Sequence, residues 1–217
     1  MKDKKILLSF DLDNTLINNR EGIVNSFNYA LQKFNIPTLE RVEIEKMIGI
    51  PLDDMFKVVS DIDPKKLSAA FREYYREKGI YQGSLFPGVK ETLEILKQNH
   101  FILGIITSKK QELAIQATKI LSIFKYFDYV IGESEHIKSK LDPNLKTYFQ
   151  KEYSEYDIVI IGDHPKDMAL AQNINAPFIG VLTGNHSAEE LRRGNPAKTL
   201  ILTNVTELFP NLIYSLF

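Results

Sequence analysis

Ile6-Leu7-Leu8-Ser9-Phe10 runs directly into Asp11-Leu12-Asp13-Asn14-Thr15-Leu16. An apolar run this short reads as a strand buried on both faces, because an export signal needs ~7–15 apolar residues and a membrane span ~20. Further short runs follow at Ile102 to Ile106, Tyr129 to Ile131, Ile158 to Ile161, Phe178 to Leu182 and Leu200 to Leu202. Between them lie helical stripes: Val89, Leu93 and Leu96; Leu113, Ala117 and Ile120; Leu145 and Phe149. Strand and helix therefore alternate from residue 84 onward, which predicts an α/β fold with a doubly wound parallel sheet. In the common order 3-2-1-4-5 the first and fourth strands are neighbours where the order reverses, and ligands bind outside their carboxyl ends.

The chain between the first two runs is too long for one crossover, roughly 90 residues where a dozen suffice. Its pattern is helical: Val24, Phe27, Leu31 and Phe34 share one stripe, and Leu67, Phe71, Tyr74 and Lys78 another. Asn35-Ile36-Pro37 and Ile50-Pro51 read as breaks, and Asp63-Pro64 as a helix start. Residues 17–83 are thus expected to form a helical cap domain, inserted into a core made of residues 1–16 and 84–217.

Composition narrows the function. Hydrophobic residues make up 44% and charged residues 25%, the balance of an ordinary globular protein and not of a disordered or coiled-coil chain. Twenty-seven basic against 28 acidic residues leave a net charge of -1, without the basic footprint of a nucleic-acid binder. The absence of Cys excludes thiol nucleophiles and zinc-thiolate sites, and fits a reducing cytoplasm. No nucleic-acid or membrane partner is expected.

Acidic groups recur at strand ends. Asp11 and Asp13, two apart on an extended segment, point the same way. Two such carboxylates repel unless a cation joins them, and Mg²⁺ takes one or two carboxylates plus waters and substrate oxygens. The fourth run ends in Gly162-Asp163-His164-Pro165-Lys166-Asp167. Pro165 suits a first helical turn, which brings Asp163 and Asp167 to one helix N-terminus, although Asp163 alone also reads as the helix cap. Thr107-Ser108-Lys109-Lys110 reads either as an anion site at a helix start or as an ordinary cap. Lys140, just before a helix that begins near Pro143, becomes a phosphoryl-neutralising candidate in the company of these clusters.

Taken in order, DLDNTL, a strand ending in Thr-Ser, Lys140 and GDHPKD resemble the four motifs of the haloacid dehalogenase-like superfamily. The helical insert resembles that superfamily's first cap type. Met47-Ile48-Gly49-Ile50-Pro51, Phe86-Pro87-Gly88-Val89 and Gly180-Val181-Leu182-Thr183-Gly184 resemble its phosphoglycolate-phosphatase-like branch. Asn14 stands where that family usually has Gly, and Lys140-Leu141-Asp142-Pro143 where it has Lys-Pro-x-Pro, so Lys138 is the alternative to Lys140.

The resemblance implies Mg²⁺-dependent hydrolysis of a small phosphorylated metabolite. It implies Asp11 as nucleophile, Asp13 as acid and base, and Lys140 as the active lysine. Asn14, Thr107, Ser108 and Lys109 would hold the phosphate, and Asp11, Asp13, Asp163 and Asp167 the metal. Other readings stay open: a sugar phosphomutase of the β-phosphoglucomutase type, and a catalytically silent or phosphoacceptor signalling protein. Receiver modules of the latter kind are about half this length and have no helical insert.

Overall fold

The computed structural model describes residues 5–194 and 198–217; residues 1–4 and 195–197 of the expected core lie outside them. The chain divides into two compact units, Met1–Ile17 with Leu85–Phe217, and Asn18–Ser84.

The first unit is built on a six-stranded parallel sheet. Its strands are β1 (Ile6–Phe10), β4 (Ile102–Lys110), β5 (Tyr129–Glu133), β6 (Asp157–Gly162), β7 (Phe178–Val181) and β8 (Thr199–Leu202), in the order β5-β4-β1-β6-β7-β8. That is the expected 3-2-1-4-5 order, with the Leu200–Leu202 run added at the outer edge as β8. All five residues of β1 are buried. The pleat sends Ile6, Leu8 and Phe10 to one face, where Leu93, Leu96, Val205 and Ile213 pack. Leu7 goes to the other, with Leu145, Phe149, Met168 and Leu170.

The helices of this unit are α5 (Val89–Gln98), α6 (Gln111–Ile120), α7 (Pro143–Glu152), α8 (Pro165–Asn173), α9 (Ala188–Arg192) and α10 (Pro210–Tyr214). Each buried Leu or Phe on their apolar stripes contributes about 1.5–3 kcal/mol relative to exposure, which is what holds the layers on the sheet.

The chain leaves this unit at β2 (Ile17–Asn18) and returns at β3 (Ser84–Leu85). The second unit holds α1 (Arg20–Lys33), α2 (Arg41–Met47), α3 (Leu52–Val59) and α4 (Pro64–Glu77), followed by a 3-10 turn at Gly79–Gln82. Phe27 of α1 stacks on Phe56 of α3 at 4.3 Å between ring centroids, and Leu31 and Leu67 are fully buried. Asp63 caps α4 by accepting from the Lys65 N–H, with Pro64 in the first turn. One detail of the α4 stripe differs from the sequence reading. Tyr75 is the buried aromatic after Phe71, while Tyr74 is half-buried and Lys78 is the C-cap. The reason is a polar one: the Tyr75 hydroxyl accepts from the Asn19 amide inside the unit, which rewards burying that ring.

Candidate active site

β1 delivers Asp11 to the carboxyl edge of the sheet, and the Asp11 N–H continues the ladder by donating to the Ile161 carbonyl at 2.7 Å. Leu12 is fully buried, which puts Asp11 and Asp13 on the opposite side of the extended segment. The chain then turns tightly. Leu16 and Ile17 both donate to the Leu12 carbonyl at 3.0 Å, and Asn14 takes a left-handed conformation with φ 60°. Asn is among the few non-glycine residues that tolerate it, which explains how it replaces Gly there. The buried Thr15 hydroxyl donates to Asp163 Oδ1 at 3.0 Å and so ties the turn to the end of β6.

α8 begins one residue later than a cap at Asp163 would require. The N-cap is His164, whose Nδ1 accepts from the Lys166 N–H at 3.0 Å, while the His164 N–H donates to Asp167. Asp163 is thereby released from capping and faces the site. Lys140 is 4% exposed, and its Nζ lies 2.6 Å from Asp11 Oδ1 and 2.7 Å from Asp167 Oδ1. Lys138 is exposed and its backbone N–H donates to Asp142, whereas the lysine whose ammonium meets Asp11 and Asp167 is Lys140.

Carboxylate oxygens of Asp11, Asp163 and Asp167 lie within 4.8 Å of one another, all three residues buried. Burial and the neighbouring carboxylates push the Asp163 carboxyl well above its ordinary range. Burial does the same to Asp167, against the pull of Lys140. The two acids hold the Lys140 ammonium firmly charged despite its burial. Burial and mutual repulsion resist full ionisation of these carboxylates, and a hard divalent cation that takes carboxylate oxygens fits the set. The Asp13 carboxylate stands outside this group and pairs instead with Lys109 at 2.9 Å. The side chains of Asp11 and Asp13 are thus held by different lysines, Asp11 by Lys140 and Asp13 by Lys109.

The expected anion site at a helix start takes a different form. β4 runs on through Thr107 and Ser108 to Lys110, and α6 starts only at Gln111. The continuation is held by the pairing of Lys110 with Glu133 after a register shift in the ladder with β5. Thr107 is buried and its hydroxyl accepts from the Lys109 N–H, whereas Ser108 is exposed.

Residues that sequence reasoning did not place also reach the site. The Thr183 hydroxyl donates to the Asn14 carbonyl, and Gly184 sits against the Asp163 carboxylate. The His164 and His186 rings meet edge-on at 4.5 Å. Burial and the proximity of His186 lower the His164 pKa to about 3, so that ring is neutral. Thr15 lies within DLDNTL and Thr183-Gly184 within GVLTG, but the partners that give them a task come from distant strands.

The geometry has counterparts among known proteins. A family model described as haloacid dehalogenase-like hydrolase matches residues 8–181. A probable phosphatase, IndB, from Dickeya dadantii is 31% identical over 88% of this chain and 87% of its own length. A protein named as a putative pyrophosphatase, PpaX, from Clostridium perfringens is 31% identical over 86% of this chain and 88% of its own. Among solved structures, a haloacid dehalogenase-like family hydrolase from Streptococcus pneumoniae superposes with a TM-score of 0.85 at 27% identity, covering 97% of this chain and 98% of that one. With the sheet order, the clustered aspartates and the match across residues 8–181 in agreement, the chain belongs to the haloacid dehalogenase-like hydrolase family.

Proposed function

We propose that this chain is a Mg²⁺-dependent phosphatase that hydrolyses a small phosphomonoester through an aspartyl-phosphate. The observation that carries the reading is the buried cluster of Asp11, Asp163 and Asp167 around one ammonium, with a separate Asp13 carboxyl beside it. An ionised Asp11 needs no base to act as nucleophile. Its oxygen bonds to phosphorus as the ester P–O bond breaks, and Asp13 gives its proton to the departing oxygen. Water then attacks phosphorus and loses its proton to Asp13, and the bond to Asp11 breaks to release orthophosphate. Lys140 orients Asp11; Asn14, Thr107 and Ser108 are candidates to bind the phosphoryl group, and Lys109 pairs with Asp13. Asp11, Asp163, Asp167 and the backbone carbonyl of Asp13 would hold Mg²⁺, which when bound would supply charge neutralisation on the phosphoryl oxygens. The helical unit Asn18–Ser84 would select the leaving group, since the proposed catalytic groups all belong to the other unit.

Motif resemblance points to phosphoglycolate-like substrates, and the pyrophosphatase-named relative adds pyrophosphate. The test is phosphate release from a panel holding both, with sugar phosphates and an aryl phosphate, with Mg²⁺ and with EDTA. Turnover that EDTA abolishes is expected. A protein that binds but hydrolyses none of them would overturn the reading in favour of a silent binding protein.

A further inference from the structure

Two consecutive lysines at the end of β4 are sent in opposite directions. Lys110 points outward to Glu133 at 2.7 Å, with both side chains more than a third exposed. Lys109 points inward: its side chain is 8% exposed and its Nζ sits 2.9 Å from Asp13 Oδ2. The backbone that aims it is fixed on two sides. The Lys109 N–H is held by the Thr107 hydroxyl at 3.2 Å. Its carbonyl lies against Gly132 of β5, where any Cβ would collide with it. Gln111 locks the same strand by donating to the Val130 carbonyl and accepting from the Gly132 N–H. A lysine fixed at its backbone and nearly removed from solvent has lost most of its rotamer freedom before any substrate arrives.

We propose that Lys109 is a positioning residue for Asp13: its ammonium fixes the carboxyl that protonates the leaving oxygen, beyond any contact it makes with phosphate. The proposal rests on the reading of Asp13 as general acid and base. In that step the Asp13 O–H bond breaks, its proton goes to the ester oxygen as the P–O bond opens, and Asp13 is left as the carboxylate that Lys109 pairs with. The ammonium anchors one oxygen of that carboxyl at 2.9 Å and so fixes the place from which the proton is delivered. Its contribution must grow with the leaving group's need for a proton. An aryl oxide with an acidic parent phenol departs without help, whereas an alkoxide does not. A phosphate ligand would behave differently, acting on every ester alike because all carry the same phosphoryl group.

The experiment is kcat/KM with Mg²⁺ for aryl phosphates of graded leaving-group acidity and one alkyl phosphate, in wild type, Lys109→Met and Asp13→Asn, with inorganic phosphate as a competitive inhibitor. Lys109→Met should cost the alkyl ester on the order of 10²-fold and p-nitrophenyl phosphate about threefold, within the range of general acid catalysis. The inhibition constant of phosphate should stay within about threefold, and Lys109→Arg should restore most of the alkyl rate. Should Lys109→Met fail to fold, Lys109→Gln is read in the same way. A parallel fall for all esters with weakened phosphate inhibition would overturn the proposal and make Lys109 a phosphate ligand. Asp13→Asn separates the two claims. If it steepens the leaving-group dependence and Lys109→Met does not, the proposal fails while the Asp13 reading stands. If Asp13→Asn affects all esters equally, the Asp13 reading itself falls, and the role of Lys109 with it.

Discussion

Lys140 is shared between Asp11 and Asp167, while Asp163 is served by the Thr15 hydroxyl. Removing one carboxylate from this set has opposite effects on rate and on stability. Asp11→Asn deletes the nucleophile and should lower kcat by about 10³-fold or more. It also relieves repulsion on Asp163 and Asp167, so the metal-free melting temperature should stay level or rise. A variant with near wild-type turnover would refute the assignment. Gly184 gives a second test at this scale. Any Cβ there overlaps the Asp163 carboxylate, so Gly184→Ala must displace it. Mg²⁺ affinity measured by calorimetry should weaken on the order of tenfold, as for other residues that support a metal ligand; an unchanged affinity would show that Asp163 does not need its present place.

At the scale of elements, what the sequence made legible and what it did not follow from the range of the forces involved. β1 and β6 were readable as apolar runs ending in Asp, because a strand buried on both faces has few polar positions. The helix start at Asp63-Pro64 was readable because capping is local. The end of β4 was not, since Thr107 to Lys110 is polar and is kept in the sheet by Glu133 on another strand. Nor was the cap of α8: Asp163 and His164 were both able to serve, and only the distant demand on Asp163 decides between them. The pairing of Asp13 with Lys109 was hidden for the same reason. The loop joining α2 to α3 belongs to the unit proposed to select substrate, and it carries an exposed Ile50. Substitutions across Met47 to Asp54 should reorder kcat/KM among bulky substrates while a small aryl phosphate keeps most of its rate. Parallel losses for both would make the insert part of the catalytic machinery.

For the whole molecule, acid and metal act through linked protonation. Folding raises the carboxyls of Asp163 and Asp167 above the ordinary 3.8, so the folded chain holds protons that the unfolded chain has released. Stability then falls as pH rises from about 4 through the raised values. His164 works the other way. Its folded pKa is lowered from 6.5 to about 3, so its contribution is full above 6.5 and is lost as pH falls toward 3. Above pH 6.5 the carboxylates are left to dominate. The metal-free melting temperature should decline from there into the alkaline range, and Mg²⁺ should raise it by an increment that grows with pH. An increment independent of pH would mean that the cation binds elsewhere. The tie between Thr15 and Asp163 has a further consequence, in time. It joins positions 148 residues apart, between strands that are neighbours only once the sheet is threaded in its final order. A chain emerging from the ribosome holds its first strand and DLDNTL turn long before their partners exist, and closing so long a loop is slow. Recovery of activity on refolding should therefore wait for the pairing of β1 with β6, which makes the enzyme's own turnover a clock for that long-range step.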